Sequence, residues 1–169
     1  MSNQLLSTFT TIFVLVTINS FLVDESSAAA TTFAYNVTVK TASTKFDEQK
    51  GNLKLSILYK DGNKNPQEEF KLTQDDVTIS MSRAYNSVIS SFAPLGNITS
   101  IYLRWTLAAP YNPIYLISKP AIYFDPIVLS NTFTDASTHL TINQVRKFCA
   151  PTSPVAIKHS DGASFYPCA

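Results

Sequence analysis

Beyond residue 30, apolar and polar residues alternate at every second position along most of the chain, the period of a strand with one buried face. Tyr35, Val37 and Val39 share one face, with Asn36, Thr38 and Lys40 on the other. Leu53, Leu55, Ile57 and Tyr59 alternate with Lys54, Ser56 and Leu58. That run stops at Lys60-Asp61-Gly62-Asn63, a turn cluster in which Gly62 can take positive φ. Phe70 and Leu72 predict a short third strand, and Val77, Ile79 and Met81 a fourth. The most regular run is Ile98 to Leu107, where Ile101, Leu103, Trp105 and Leu107 oppose Tyr102, Arg104 and Thr106. This phase places Trp105 in the core. Ile122 to Leu129 follows, interrupted by Pro126, which a central strand tolerates poorly. Leu140 and Ile142, then Val145 to Cys149, predict a last pair. No segment past residue 30 shows the i, i+3, i+4, i+7 spacing of an amphipathic helix. Many short strands parted by turn signals predict an all-β fold, an antiparallel β-sandwich. With only four glycines, Asn, Asp and Pro must make most of its turns.

The first thirty residues differ in kind. Leu5 to Val23 is uncharged and rich in Leu, Ile, Val, Phe and Thr; Asp24 and Glu25 close it, and Ala28-Ala29-Ala30 follows. An apolar core, a polar closing segment and small residues at Ala28 and Ala30 predict a signal peptide over residues 1–30, cleaved after Ala30. No Lys or Arg precedes the core, so the terminal amine alone supplies the positive end. A membrane anchor is the alternative, weakened by Thr8, Thr10, Thr11, Thr17 and Asn19. The expectation is a secreted, extracellular domain over residues 31–169, a length that can bury a real core.

Charge and cysteine content narrow the partners. The mature segment carries thirteen basic and ten acidic residues without a basic run, which gives no support for nucleic acid. Cys149 and Cys168 are the only cysteines, and in an oxidising compartment such a pair is most simply a disulfide. Given a leader, Asn36-Val37-Thr38 and Asn97-Ile98-Thr99 are candidate glycosylation sites at Asn36 and Asn97. No serine has the flanking glycines of a nucleophile elbow. His159-Ser160-Asp161 has the residue types of a triad, yet neighbours on one turn cannot adopt its geometry, and a polar turn ending at Gly162 is the reading preferred. No catalytic residue and no resident metal or cofactor is expected. Asp47-Glu48 and Asp75-Asp76 could contribute to a calcium site, although paired acids in turns are more often solvated.

The chain also resembles the C-terminal domain of the pancreatic and lipoprotein lipase family, a PLAT-type β-sandwich. The resemblance rests on Tyr35-Asn36-Val37-Thr38-Val39 as opening strand and on Leu53 to Tyr59 with its Lys60-Asp61-Gly62 turn. It continues through Leu95 to Trp105, which opens at Gly96 and ends at a tryptophan, and through Ala121 to Leu129. Lys147-Phe148-Cys149-Ala150-Pro151, with Cys168 near the end, is similar to that family's terminal disulfide loop. The resemblance implies a non-catalytic domain that contacts lipid surfaces and carries partner-binding surface. Only the leader precedes Thr31, so the expectation is a free-standing copy without a catalytic domain. The chain departs from the family where lipoprotein lipase-type domains carry a tryptophan-rich lipid-binding loop. Here Leu107 to Ile117 stands in its place, kept out of a strand by Pro110 and Pro113. Tyr111, Ile114, Tyr115 and Leu116 are apolar for a solvated connection and form the candidate lipid- or partner-contact residues. The alternative is that the loop folds back over an open edge of the core. The leading expectation is a binding module for lipid or membrane surfaces. The second is an extracellular protein–protein interaction or structural module, with a lipase or a cell-surface protein as partner.

Overall fold

A computed structural model describes residues 31–111, 113, 115, 118–135 and 137–169; the expected signal peptide lies outside them. Eleven strands are named among them: β1 Phe33–Lys40, β2 Gln49–Tyr59, β3 Gln67–Lys71, β4 Val77–Ile79, β5 Ala84–Ser91, β6 Ile98–Leu107, β7 Ala121–Phe124, β8 Ile127–Thr134, β9 Thr141–Cys149, β10 Val155–Lys158 and β11 Gly162–Pro167. All pairings are antiparallel. One layer runs β3-β2-β6-β11 with β4 on β2; the other runs β5-β1-β8-β9 and also ends on β11. The two share β11 because its first half, Gly162 to Phe165, pairs with β6, and Tyr166 and Pro167 pair with β9. The expected antiparallel β-sandwich is therefore present, closed along one side by a strand that changes sheets.

The inward positions are those that the alternation marks. Tyr35, Val37, Val39, Leu53, Leu55, Ile57, Ile101, Leu103 and Trp105 are essentially fully buried. Burial pushes the Tyr35 hydroxyl pKa up to about 12, with the Glu68 carboxylate adding to the effect. That hydroxyl stays protonated and donates to the Ala93 carbonyl at 2.6 Å. Gly62 takes φ 57° in the turn after β2, as expected. Gly51 has another role: a Cβ there would run into the Thr106 carbonyl oxygen, so β2 can approach β6 this closely only at a glycine.

The structure departs from the expected strands in five places. The tail after Cys149, where no strand was expected, forms β10 and β11. Ala84 to Ser91 forms β5, an edge strand that the alternation does not reveal. Ile122 to Leu129 is two strands: β7 pairs with β10, while β8 pairs with β1 and β9. The buried positions move from Ile122 and Phe124 to Ile127 and Leu129, a change of phase that one continuous strand cannot make. Asp125-Pro126 is where the ladder breaks. The expected last pair is the single strand β9. Its inner face carries Arg146, which bonds the carbonyls of Leu95, Gly96 and Ile98 at 2.6, 3.1 and 3.1 Å and lies 5.5 Å over the Phe148 ring. Finally, Met81 lies beyond β4, 47% exposed, because the chain turns at Ser82 with φ 56°.

Cys149 and Cys168 are joined, with Cα atoms 5.1 Å apart. The bridge holds the C-terminal end of β11 against β9, where only two residue pairs form the ladder.

Candidate functional site

Strand register defines which loops share an end of the sandwich. Leu107, at the end of β6, faces Gly51, and Gly51 faces Val77. The Ala108 N–H bonds the Lys50 carbonyl, and Gln49 faces Ile79. The Ser82 N–H bonds Ala42, and the Thr41 N–H bonds Arg83. The loops after β1, β4 and β6 therefore emerge together. Pro110 has no N–H to continue the β6 ladder, and the chain leaves the sheet there. Tyr111 follows and is 95% exposed, and Met81 projects from the neighbouring loop. Tyr115, by contrast, is half-buried against the core. Of the four expected contact residues, one is displayed and one acts as an anchor; Ile114 and Leu116 lie outside the described residues. Lys45, Lys50 and Arg83 are exposed at this end; Lys40 pairs with Asp125 at 4.0 Å and Lys119 with Asp161 at 3.8 Å.

The root of the Tyr111 loop is fixed by a buried polar cluster. Trp105 Nε1 donates to the Ile157 carbonyl at 2.7 Å, and the His159 ring stands edge-on to the indole at 5.7 Å. His159 Nδ1 accepts the Leu107 N–H at 3.1 Å, two residues on from Trp105. Burial holds the His159 pKa below its ordinary value, the Lys119 charge lowers it further, and Asp161 opposes both. The ring is therefore favoured neutral, with Nδ1 as acceptor and its proton on Nε2.

This tautomer settles what His159-Ser160-Asp161 can do. Ser160 Oγ lies 3.1 Å from Nε2, a nitrogen that already carries the proton and can only donate. A general base would need that nitrogen free and a carboxylate behind Nδ1, but Nδ1 is taken by backbone and Asp161 faces Lys119. The three residues form a polar turn in which Ser160 takes φ 66°.

The acidic pairs are also placed. The Lys71 ammonium lies 2.8 Å from Asp75 and Asn52 Nδ2 lies 2.9 Å from it, which lowers the Asp75 pKa. Asp47 and Glu48 lie exposed before β2. Among the described residues no three His, Cys, Asp or Glu side chains gather into a metal-binding group. A cavity of about 560 Å³ that no sequence pattern marks lies at the opposite end, lined by Phe33, Leu95, Asn131, Phe133 and Gln144 among others. It lies where inward positions of β1, β8 and β9 run past the core, and their spread over three distant segments hid it. At that end the Asn97 amide donates to the Lys60 carbonyl at 3.2 Å and the Thr99 hydroxyl to that of Leu58 at 3.1 Å.

Comparison with known proteins adds the fold's relatives. No protein-family model and no curated protein matches the chain. Solved structures do. A crystal structure of an engineered lipoxygenase matches 82% of this chain with TM-score 0.51 and 15% identity. An anaerobic crystal structure of a lipoxygenase in complex with arachidonate matches to the same extent at 16% identity. The match takes in 17% of each lipoxygenase chain, so this chain corresponds to a small part of those proteins. The likeness defines the fold class: a PLAT-like β-sandwich. It is not specific to lipases.

Proposed function

We propose that this chain is a secreted, non-catalytic module that contacts lipid or membrane surfaces with the end bearing Tyr111. The observation that carries the reading is Tyr111 itself, a large aromatic 95% exposed in a loop whose base is pinned to the core. An amphipathic ring suits a boundary that is apolar on one side and wet on the other. Met81 adds a second apolar side chain at the same end, where the exposed cations Lys45, Lys50 and Arg83 outnumber the exposed acids Asp47 and Glu48 of the same loop. The fold's likeness to part of a lipoxygenase solved with arachidonate supports a lipid setting. In this reading Tyr115 serves the site by anchoring the loop.

The test is sedimentation of the mature protein with neutral and anionic liposomes, with and without calcium. Burying one such side chain fully in an apolar phase is worth roughly 1.5–3 kcal/mol. Partial insertion of two gives less, and Tyr111→Ser with Met81→Ser is expected to weaken binding about tenfold or more. Thermal stability should hardly change, since both groups are exposed in the free protein. A double variant that binds as well as the parent refutes this contact surface. A parent protein that binds no vesicle refutes the lipid reading and leaves an extracellular protein partner as the function of this end.

A further inference from the structure

The two outer faces of the sandwich differ in charge. On the β3-β2-β6 layer, Lys54 and Arg104 both reach Glu69, at 3.4 and 3.7 Å, and Lys71 reaches Asp75. On the β5-β1-β8-β9 layer the outward positions are Ala84, Asn86, Val88 and Ser90, then Ala34, Asn36 and Thr38, and their counterparts on β8 and β9. Lys40 and Lys147 are the only outward charges on these four strands. One row crosses the middle of this face: Val88 faces Asn36, Asn36 faces Ser130, and Ser130 faces Val145. Val88 is 71% and Val145 60% exposed. Val88 stands on β5, an edge strand without a single charged residue, and such an edge ordinarily needs a cover.

The row contains its own candidate cover. Asn36 is exposed at its centre, in the sequon Asn36-Val37-Thr38. We infer that Asn36 carries an N-linked glycan that lies over Val88 and Val145 and keeps this face from self-association. In the transfer, the Asn36 amide nitrogen bonds to the anomeric carbon of a lipid-linked oligosaccharide. The anomeric carbon's bond to the diphosphate oxygen breaks, the lipid diphosphate leaves, and the amide gives up one proton. Strands lie about 4.8 Å apart, so Val88 is one spacing from Asn36 and Val145 about two, within reach of the first two sugars. The second sequon differs in its surroundings. The Asn97 amide is tied to the Lys60 carbonyl in a turn. A glycan on Asn36 also gives the molecule a polarity, shielding one broad face and leaving the Tyr111 end free.

The inference rests on the secretory part of the proposed function, and the experiment separates the two. The full chain is expressed in a secreting eukaryotic cell, and the medium and the cells are analysed by peptide mass spectrometry before and after amidase treatment. Asn36 in the secreted protein is expected to be modified in most molecules. Asn36→Gln should remove that glycan, leave the melting temperature within a degree or two, and produce dimers or larger species at concentrations where the parent is monomeric. Adding Val88→Thr and Val145→Thr to Asn36→Gln should restore the monomer. Secreted protein with a bare Asn36 overturns the glycan alone. Protein retained in the cell with its N-terminal segment intact overturns secretion and the glycan with it. An Asn36→Gln protein that stays monomeric overturns the covering role.

Discussion

Protonation of His159 is the perturbation that tests the loop anchor most directly. In the folded protein the imidazole is buried, its Nδ1 is spent on the Leu107 N–H, and its pKa lies below the ordinary value. In the unfolded chain the same group titrates near about 6.5. The unfolded state therefore binds more protons as pH falls through that value, and stability falls with it. The contribution is complete above about 6.5, declines below it, and stops declining once pH is under the folded-state pKa. One proton is involved, so the slope is at most about 1.4 kcal/mol per pH unit. Asp75 and Asp135 also have lowered pKa values, Asp135 to about 2 through its bonds from Ser137 and Thr138. Their stability is lost only as pH falls below the ordinary carboxylate value near about 3.9, leaving the interval from 6.5 to 5 to His159. The assay is urea unfolding at pH 7.0, 6.0 and 5.0, followed by the emission of Trp105, the only tryptophan. His159→Gln is the control: its side-chain oxygen can accept the Leu107 N–H and it does not titrate. The parent should lose stability between pH 7 and 5, and the Gln variant should be nearly flat. Equal slopes for the two proteins would refute the neutral, backbone-bonded imidazole.

Cys149→Ser opens a loop of sequence separation 19, and the loop-entropy relation assigns such a closure about 3 kcal/mol. A melting temperature lower by roughly 10 °C is expected for a domain of this size, and a reduced protein as stable as the oxidised one would contradict it. Gly51→Ala should cost about 1–3 kcal/mol because the added methyl meets the Thr106 backbone and not a side chain that can turn away. Calorimetry measures it, and an unchanged melting temperature would mean that β2 and β6 are less closely apposed.

How far the fold was legible depends on which side of each strand carries the signal. β1, β2 and β6 were readable because their inward positions are apolar and their outward ones polar, and Trp105 falls in the core as its phase requires. β5 was hidden because that contrast fails in both directions: Ser87 and Ser91 point inward while Val88 points out. β9 reads wrongly for the same reason, since Val145 faces solvent and Arg146 faces in. Arg146 is tolerated there because three carbonyls and the Phe148 ring receive its guanidinium, partners far away in sequence. The Asp125-Pro126 break was marked by its proline, but the change of sheet it produces was not, because a phase jump has no local composition.

The candidate sites follow from those same exceptions. Met81 and Val145 each look, in sequence, like one more apolar beat of a strand, Val88 lies in a strand that the alternation does not mark, and all three are outside the core. Tyr111 was legible, with Ile114, Tyr115 and Leu116, because Pro110 and Pro113 break the pattern and leave apolar residues with no strand to belong to. Alternation tells which residues share a face; it cannot tell which face the core covers when both carry apolar groups. Sequence therefore reveals a binding residue where it interrupts the fold's pattern and conceals one where it completes that pattern. The Tyr111 end is of the first kind and the Val88–Val145 row is of the second. Only the cross-strand register, which sets Asn36 between those two valines, joins the sequon to the surface that its glycan would cover.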